Sequence, residues 1–162
     1  MEDKQTRYSS LMMLQQRLIK RCIFLFVIIT FTIIGSVNAA SVVPRGLQLE
    51  YRKQPLGLDV RQPRFGWILE PTDTNVFGQR QTAYRILVAT TERLLASEQG
   101  DQWDSGWVLS DSMQHIVYEG KPLISDRTYH WKVQVKDENG NISAWSEPAR
   151  WSTGWFETDE WK

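Results

Sequence analysis

The chain is poor in the residues that small exported or metal-dependent proteins rely on. Its single cysteine, Cys22, rules out an intramolecular disulfide framework. Two histidines, His115 and His130, would need carboxylates to complete a zinc site, and no metal-ligand spacing accompanies them. An excess of one charge is also missing. Nineteen Lys+Arg balance nineteen Asp+Glu for a net charge of +0, which argues against a nucleic-acid binder, an acidic tail or a polybasic membrane patch. No Gly-x-Ser-x-Gly elbow, phosphate loop or cofactor motif is present. What is abundant is tryptophan, with eight in 162 residues where ordinary composition gives about two. Such an excess implies large aromatic packing or a stacking surface.

The first 39 residues read as a secretory signal peptide. Lys4, Arg7, Arg17, Lys20 and Arg21 precede an apolar stretch from Cys22 to Ile34, followed by Gly35-Ser36-Val37-Asn38-Ala39-Ala40. A basic segment stays cytoplasmic, and an apolar stretch of about 12 residues is too short to span a bilayer of about 30 Å comfortably. Small residues then admit a peptidase, with cleavage expected between Ala39 and Ala40. The long basic segment leaves an uncleaved membrane anchor as the alternative, and both readings export the remainder. Cleavage would leave 123 residues with a net charge of −3, no cysteine and all eight tryptophans. That length suffices for one sandwich or barrel held by its core alone.

After a short linker at residues 40–45, where Pro44 is expected to break structure, period-two alternation dominates. Leu47, Leu49 and Tyr51 alternate with polar neighbours, and so do Phe65, Trp67 and Leu69. Tyr84, Ile86 and Val88 face one way while Arg85 and Leu87 face the other, as in a strand buried on one side and partly covered on the other. Tyr129, Trp131, Val133 and Val135 oppose His130, Lys132, Gln134 and Lys136, whose face is expected to meet solvent. Asn139-Gly140 signals a tight turn into a return strand running from Trp145 to Trp151. Thr91 is placed to cap one short helix, Glu92 to Glu98, packing Leu94 and Leu95 on a sheet. About seven strands with frequent turn signals predict an all-β, immunoglobulin/fibronectin type III-like antiparallel β-sandwich over residues 46–155, with 156–162 leading away from it.

Candidate chemistry is sparse. Asp104, Asp111, Asp126, Asp137, Glu138, Asp159 and Glu160 fall in apparent turns or near the terminus, where acids are usually solvated or bond local backbone. That is a poor setting for the carboxyl pair of a glycosidase. His115 and His130 read as half-exposed strand residues without a partner. Trp67, Trp131 and Trp151 are in phase with the core. Trp103, Trp107, Trp145 and Trp155 lie near turns or strand ends, and Trp103, Trp107 and Trp155 are the candidates for a sugar-stacking platform. Trp155, Phe156 and Trp161 crowd the last eight residues, which points to a surface that needs a partner.

The series Pro55-Leu56-Gly57-Leu58-Asp59, Pro63-Arg64-Phe65-Gly66-Trp67, Gln81-Thr82-Ala83-Tyr84-Arg85-Ile86, Trp103-Asp104-Ser105-Gly106, Tyr118-Glu119-Gly120, Tyr129-His130-Trp131-Lys132-Val133 and Trp145-Ser146 resembles the N-terminal module of secreted bacterial α-L-rhamnosidases. The resemblance covers about residues 46 to 162. It implies a fibronectin type III-like sandwich preceding further β-domains and an α/α barrel that cleaves terminal α-L-rhamnose with inversion. No residue of that barrel matches here, so the resemblance carries over no catalytic residue and no metal ligand. It implies a non-catalytic accessory module, with downstream rhamnosidase domains, or a partner chain carrying them, as its partner. A truncated gene product is the expectation it favours. The alternative is a free-standing exported module that binds rhamnose-containing polysaccharide or acts at the cell surface. Nucleic acid is not an expected partner, and membrane enters only if the signal is uncleaved.

Overall fold

The computed structural model describes residues 40–75 and 77–156. The expected signal segment with its cleavage residue Ala39, and Trp161, lie outside the described residues. Nine elements follow in order: β1 (Val42–Leu49), β2 (Arg64–Pro71), β3 (Gln81–Ala89), α1 (Glu92–Ala96), β4 (Trp103–Asp104), β5 (Val108–Leu109), β6 (Ile116–Val117), β7 (Thr128–Asp137) and β8 (Ala149–Ser152). One sheet has the order β1-β2-β6, and the other runs β4-β3-β7-β8 with β5 also pairing β3. Every strand pairing is antiparallel. The expected all-β sandwich of the immunoglobulin class is what the chain forms.

The two sheets meet through aromatic rings. Phe65 on β2 lies 4.6 Å from Trp131 on β7 and 5.8 Å from Trp151 on β8, centroid to centroid. Trp151 stacks on Tyr129 at 5.2 Å. Trp67, Trp131 and Trp151 are all buried, as their phase requires. Each such ring removes about 150–250 Å² from water, roughly 4–6 kcal/mol before chain entropy, so an aromatic core stands in for disulfides. Ile86 and Val88 face this core. Leu87 and Ala89 on the opposite face of β3 meet Leu95 of α1 in a second cluster, with Leu94 packed against it. Thr91 caps α1 as expected, its Oγ1 accepting from Leu94 N at 3.3 Å.

Several local expectations need correction. Residues 40–45 are not a linker: Ala40 and Val42 are buried and β1 begins at Val42, pairing with Pro71. Pro44 is tolerated because β1 is an edge strand. Thr72 N donates to Ser41 O, so alternation turns Pro44 toward the open edge, where no ladder bond needs its N–H. Tyr51 does not continue the alternation. Glu50 and Tyr51 take left-handed backbone at φ 47 and 62, ending the strand at Leu49 and leaving Tyr51 exposed. His115 is not on a strand either, but precedes β6 at φ 62.

A further correction concerns the polar face of β7, which is half covered. Lys132 is buried beneath Trp145, its Nζ 4.6 Å from the ring centroid, and Arg85 lies 5.8 Å from the same ring. Lys136 sits 4.5 Å from the Trp107 ring. The return segment from the turn is irregular until β8. There the hydroxyls of Ser143 and Ser146 accept from Val135 N and Val133 N, both at 3.1 Å, in place of ladder carbonyls. At the turn itself only Gly140 is left-handed, at φ 79, and its N–H donates to Asp137 O. A bulged turn of this kind needs one positive φ rather than two.

Candidate functional site

The two sheets part where β6 ends the first and β4 with β5 edges the second. An open groove of about 490 Å³ lies between them, lined among others by Tyr84, Trp103, Ser110, Ser112, Ile116 and Glu119. Ligand sites commonly fall in the range of about 300–1,000 Å³. Trp103 closes one end, its ring 5.7 Å from Phe65 and 5.4 Å from Tyr118. Tyr84, only 7% exposed, packs edge-on to Trp67 at 5.4 Å. Burial and the nearby Glu119 carboxylate push the Tyr84 phenol above its usual range. Several polar groups at the groove are committed internally. Asp104 holds Arg85 in two bonds of 2.9 and 2.6 Å, and Ser105 Oγ accepts from Ile86 N at 2.8 Å. His115 Nε2 meets the Tyr51 hydroxyl at 2.6 Å.

The sugar-platform candidates do not share a surface. Trp103 pairs with Val88 and faces the core side of its sheet, whereas Trp107 lies on the outer face over Lys136. Trp155 follows β8, whose Ser152 pairs with Thr128 at the far end of β7 from Lys136. That separation is about 26 Å at about 3.3 Å per strand residue.

The carboxylates with displaced pKa values are all held low. The Arg64 guanidinium, with bonds of 3.1 and 2.7 Å, lowers Glu50, and Arg85 lowers Asp104. Asp137 is driven upward by burial but held below its usual range by the N–H donors around it. A glycosidase acid needs the opposite displacement. Burial pulls His130 below the usual imidazole range. No cluster of three or more His, Cys, Asp or Glu side chains suited to a metal occurs among the described residues.

A second surface forms at the end of the sandwich where the described chain ends. Residues 152–156 run between two segments: Leu58 bridges Thr153 in parallel, Gly154 N donates to Leu58 O, and Thr153 N donates to Arg127 O. Leu56, Ile124 and Trp155 sit on these three adjacent segments with 79%, 58% and 46% of their surface exposed. Phe156 is partly buried against the core, with the Arg61 guanidinium 4.7 Å from its ring centroid.

Residues 44–157 match the family model described as Rha78A-like, N-terminal immunoglobulin domain. The chain belongs to this family. An α-L-rhamnosidase of Streptomyces avermitilis is 40% identical over 113 residues, covering 70% of this chain and 10% of that protein. One from Formosa agariphila is 34% identical over 113 residues, covering 70% of this chain and 12% of that protein. The crystal structure of the Streptomyces avermitilis enzyme complexed with L-rhamnose aligns with a TM-score of 0.69 at 36% identity, covering 75% of this chain and 11% of that chain. The Dictyoglumus thermophilum enzyme aligns at 0.71 with 34% identity, covering 79% and 14%. The chain thus spans between 10% and 16% of the curated α-L-rhamnosidases it matches.

The residues that carry the likeness to the rhamnosidase N-terminal domain have structural reasons. Asp104 and Ser105 hold Arg85 and Ile86, which ties the Trp-Asp-Ser-Gly turn to β3. Gly120 leaves no room for a Cβ, which would overlap the Tyr118 hydroxyl and Trp103 Cβ. Ser146 completes the β7 ladder. Reading from residue type alone missed the polar side of the groove. Alternation correctly marks the Tyr84 ring as core, but where its hydroxyl emerges depends on β5, β6 and the loop between them.

Proposed function

We propose that this immunoglobulin-like domain serves as a non-catalytic accessory module of an exported α-L-rhamnosidase, docking on the enzyme's remaining domains through Leu56, Ile124 and Trp155. The observation that supports this reading best is the exposure of those three apolar side chains on adjacent segments, in a chain that matches only the N-terminal part of its relatives. Surfaces of that kind are commonly interaction sites. The basic, apolar and small-residue order of residues 1–39 supports export.

The chain alone should release nothing from an aryl α-L-rhamnoside, and release that survives repurification would overturn the non-catalytic reading. Grafting residues 40–157 in place of the matching domain of the Streptomyces avermitilis enzyme should leave a folded, active chimera. Replacing Leu56 and Trp155 together by serine should then lower the chimera's thermal midpoint more than that of the isolated chain. Equal shifts in both would count against docking at this face. For export, mass spectrometry of the mature protein should place its N-terminus at Ala40, and a cytosolic chain retaining Met1 would refute it.

A further inference from the structure

We propose that the groove between the β4–β5 edge and β6 is a binding site for an uncharged sugar ring, with the Tyr84 hydroxyl, Ser110, Ser112 and Glu119 as its polar contacts and Trp103 with Ile116 as its apolar wall. The inference stands apart from the accessory role, since it concerns a different face of the domain.

The observation that carries it is the Tyr84 hydroxyl. This residue is more than nine-tenths buried, yet its oxygen is not sealed from solvent and takes part in no hydrogen bond among the described residues. Because the oxygen reaches solvent while the ring is held in the core, its donor and acceptor are free for a ligand seated in the groove. Here the ring is anchored by Trp67 and the hydroxyl opens into the groove. Its surroundings are equally unspent. The Ser112 hydroxyl and the Glu119 carboxylate, both on solvent-exposed residues, have no hydrogen-bond partner among the described residues, and Ser110 Oγ only accepts, from Ser112 N at 3.0 Å. The Ser110 proton is therefore left to donate.

Ligand chemistry follows from this set. Hydroxyls that both donate and accept, next to a carboxylate that only accepts, suit a ligand dense in hydroxyl groups. Glu119 disfavours an anion, because its charge has no ion-pair partner among the described residues, whereas Asp104, the other acid lining the groove, is paired with Arg85. Trp103, Ile116 and Val108 line the same groove with apolar surface against which a ring's C–H face can rest. A peptide added as an edge strand fits less well. Both β5 and β6 are two residues long, which leaves little ladder to extend.

The test is a titration of the full 15N-labelled chain with L-rhamnose, D-galactose and D-glucuronate, followed by amide and indole chemical shifts. The neutral sugars should give saturable, millimolar-range shifts at Tyr84, Trp103, Ser110, Ser112 and Glu119, and glucuronate the weakest. Tyr84→Phe keeps the ring packing and removes only an oxygen without an internal partner. It should leave the unfolding midpoint unchanged and weaken sugar binding about three- to tenfold, the value of one hydrogen bond. Absence of saturable shifts with every sugar would overturn the proposal. So would shifts centred on Trp107 or Trp155, equal binding by Tyr84→Phe, or glucuronate binding as tightly as the neutral sugars.

Discussion

Trp67 Nε1 donates to Gln81 Oε1 at 3.0 Å, joining β2 of one sheet to β3 of the other inside the core. The amide nitrogen of Gln81 then donates to Ser110 O at 3.1 Å and Ser112 O at 2.9 Å, so one buried glutamine fixes the sheets and one wall of the groove. Gln81→Ala strands an indole N–H and deprives two carbonyls of a donor. The expected loss is about 2–4 kcal/mol, read from the urea midpoint. Amide exchange at residues 110–112 should rise with it. Unchanged exchange there would show that the loop holds its place without the glutamine.

Two core tryptophans should respond differently to the same substitution. Trp67→Phe loses the bond to Gln81, whereas Trp151 Nε1 has no acceptor among the described residues. Both variants lose ring area, but only the first breaks a satisfied pair. Trp67→Phe should therefore be the less stable by about 1–2 kcal/mol, checked by ranking their urea midpoints.

Acid should loosen the turn after β7. Asp137 Oδ1 accepts from Asn139 N and Asn141 N, both at 2.9 Å, and Oδ2 accepts from Ser41 N at 2.9 Å and Asn141 Nδ2 at 3.2 Å. Burial alone would raise its pKa, but these donors outweigh it and hold the carboxyl below its usual range. A depressed folded pKa contributes stability that is complete above the unfolded value of about 3.9 and is lost as pH falls through the folded value. Asp137→Asn should be destabilising at neutral pH and should show a smaller further loss on acidification than the wild type, measured by urea unfolding at a series of pH values.

Lys132 should give stability the same pH slope at the alkaline end, although here the fold disfavours the charged form. Burial lowers its pKa, partly offset by Glu98 and reinforced by Arg85. Between that lowered folded value and about 10.5 the unfolded state binds more protons, so this group makes stability rise with pH. Relative to Lys132→Met, which keeps the stem under Trp145 and removes the charge, the wild type should gain stability as pH rises toward about 10.5. A constant difference across that interval would contradict the assignment.

Much of this fold is legible in residue order because alternation reports which face is covered. Phe65, Trp67, Tyr129, Trp131, Val133 and Val135 are apolar at every second position and all are buried. Thr91 and the leucines of α1 likewise announce a capped helix lying on β3. The pattern misled where coverage comes from elsewhere in the chain. Lys132 is polar in sequence and buried in the fold, because Trp145 returns from an irregular segment to lie over it. Pro44 reads as a breaker and is a strand residue, because only its edge position spares it the missing bond.

The tryptophan excess, with one cysteine and no charge bias, determined from sequence alone that this chain must hold together by aromatic burial and without an internal disulfide. The motif series determined its kinship with the rhamnosidase N-terminal domain. Only the tertiary structure decided which apolar side chains lie exposed on neighbouring segments. It separates Trp103, Trp107 and Trp155, gathers Leu56, Ile124 and Trp155 on adjacent segments, and opens a groove over the Tyr84 hydroxyl. The physical reason is that periodicity records the side of a strand on which a residue sits. Which strands become neighbours, and where their edges part, is set by pairings between residues far apart in the chain.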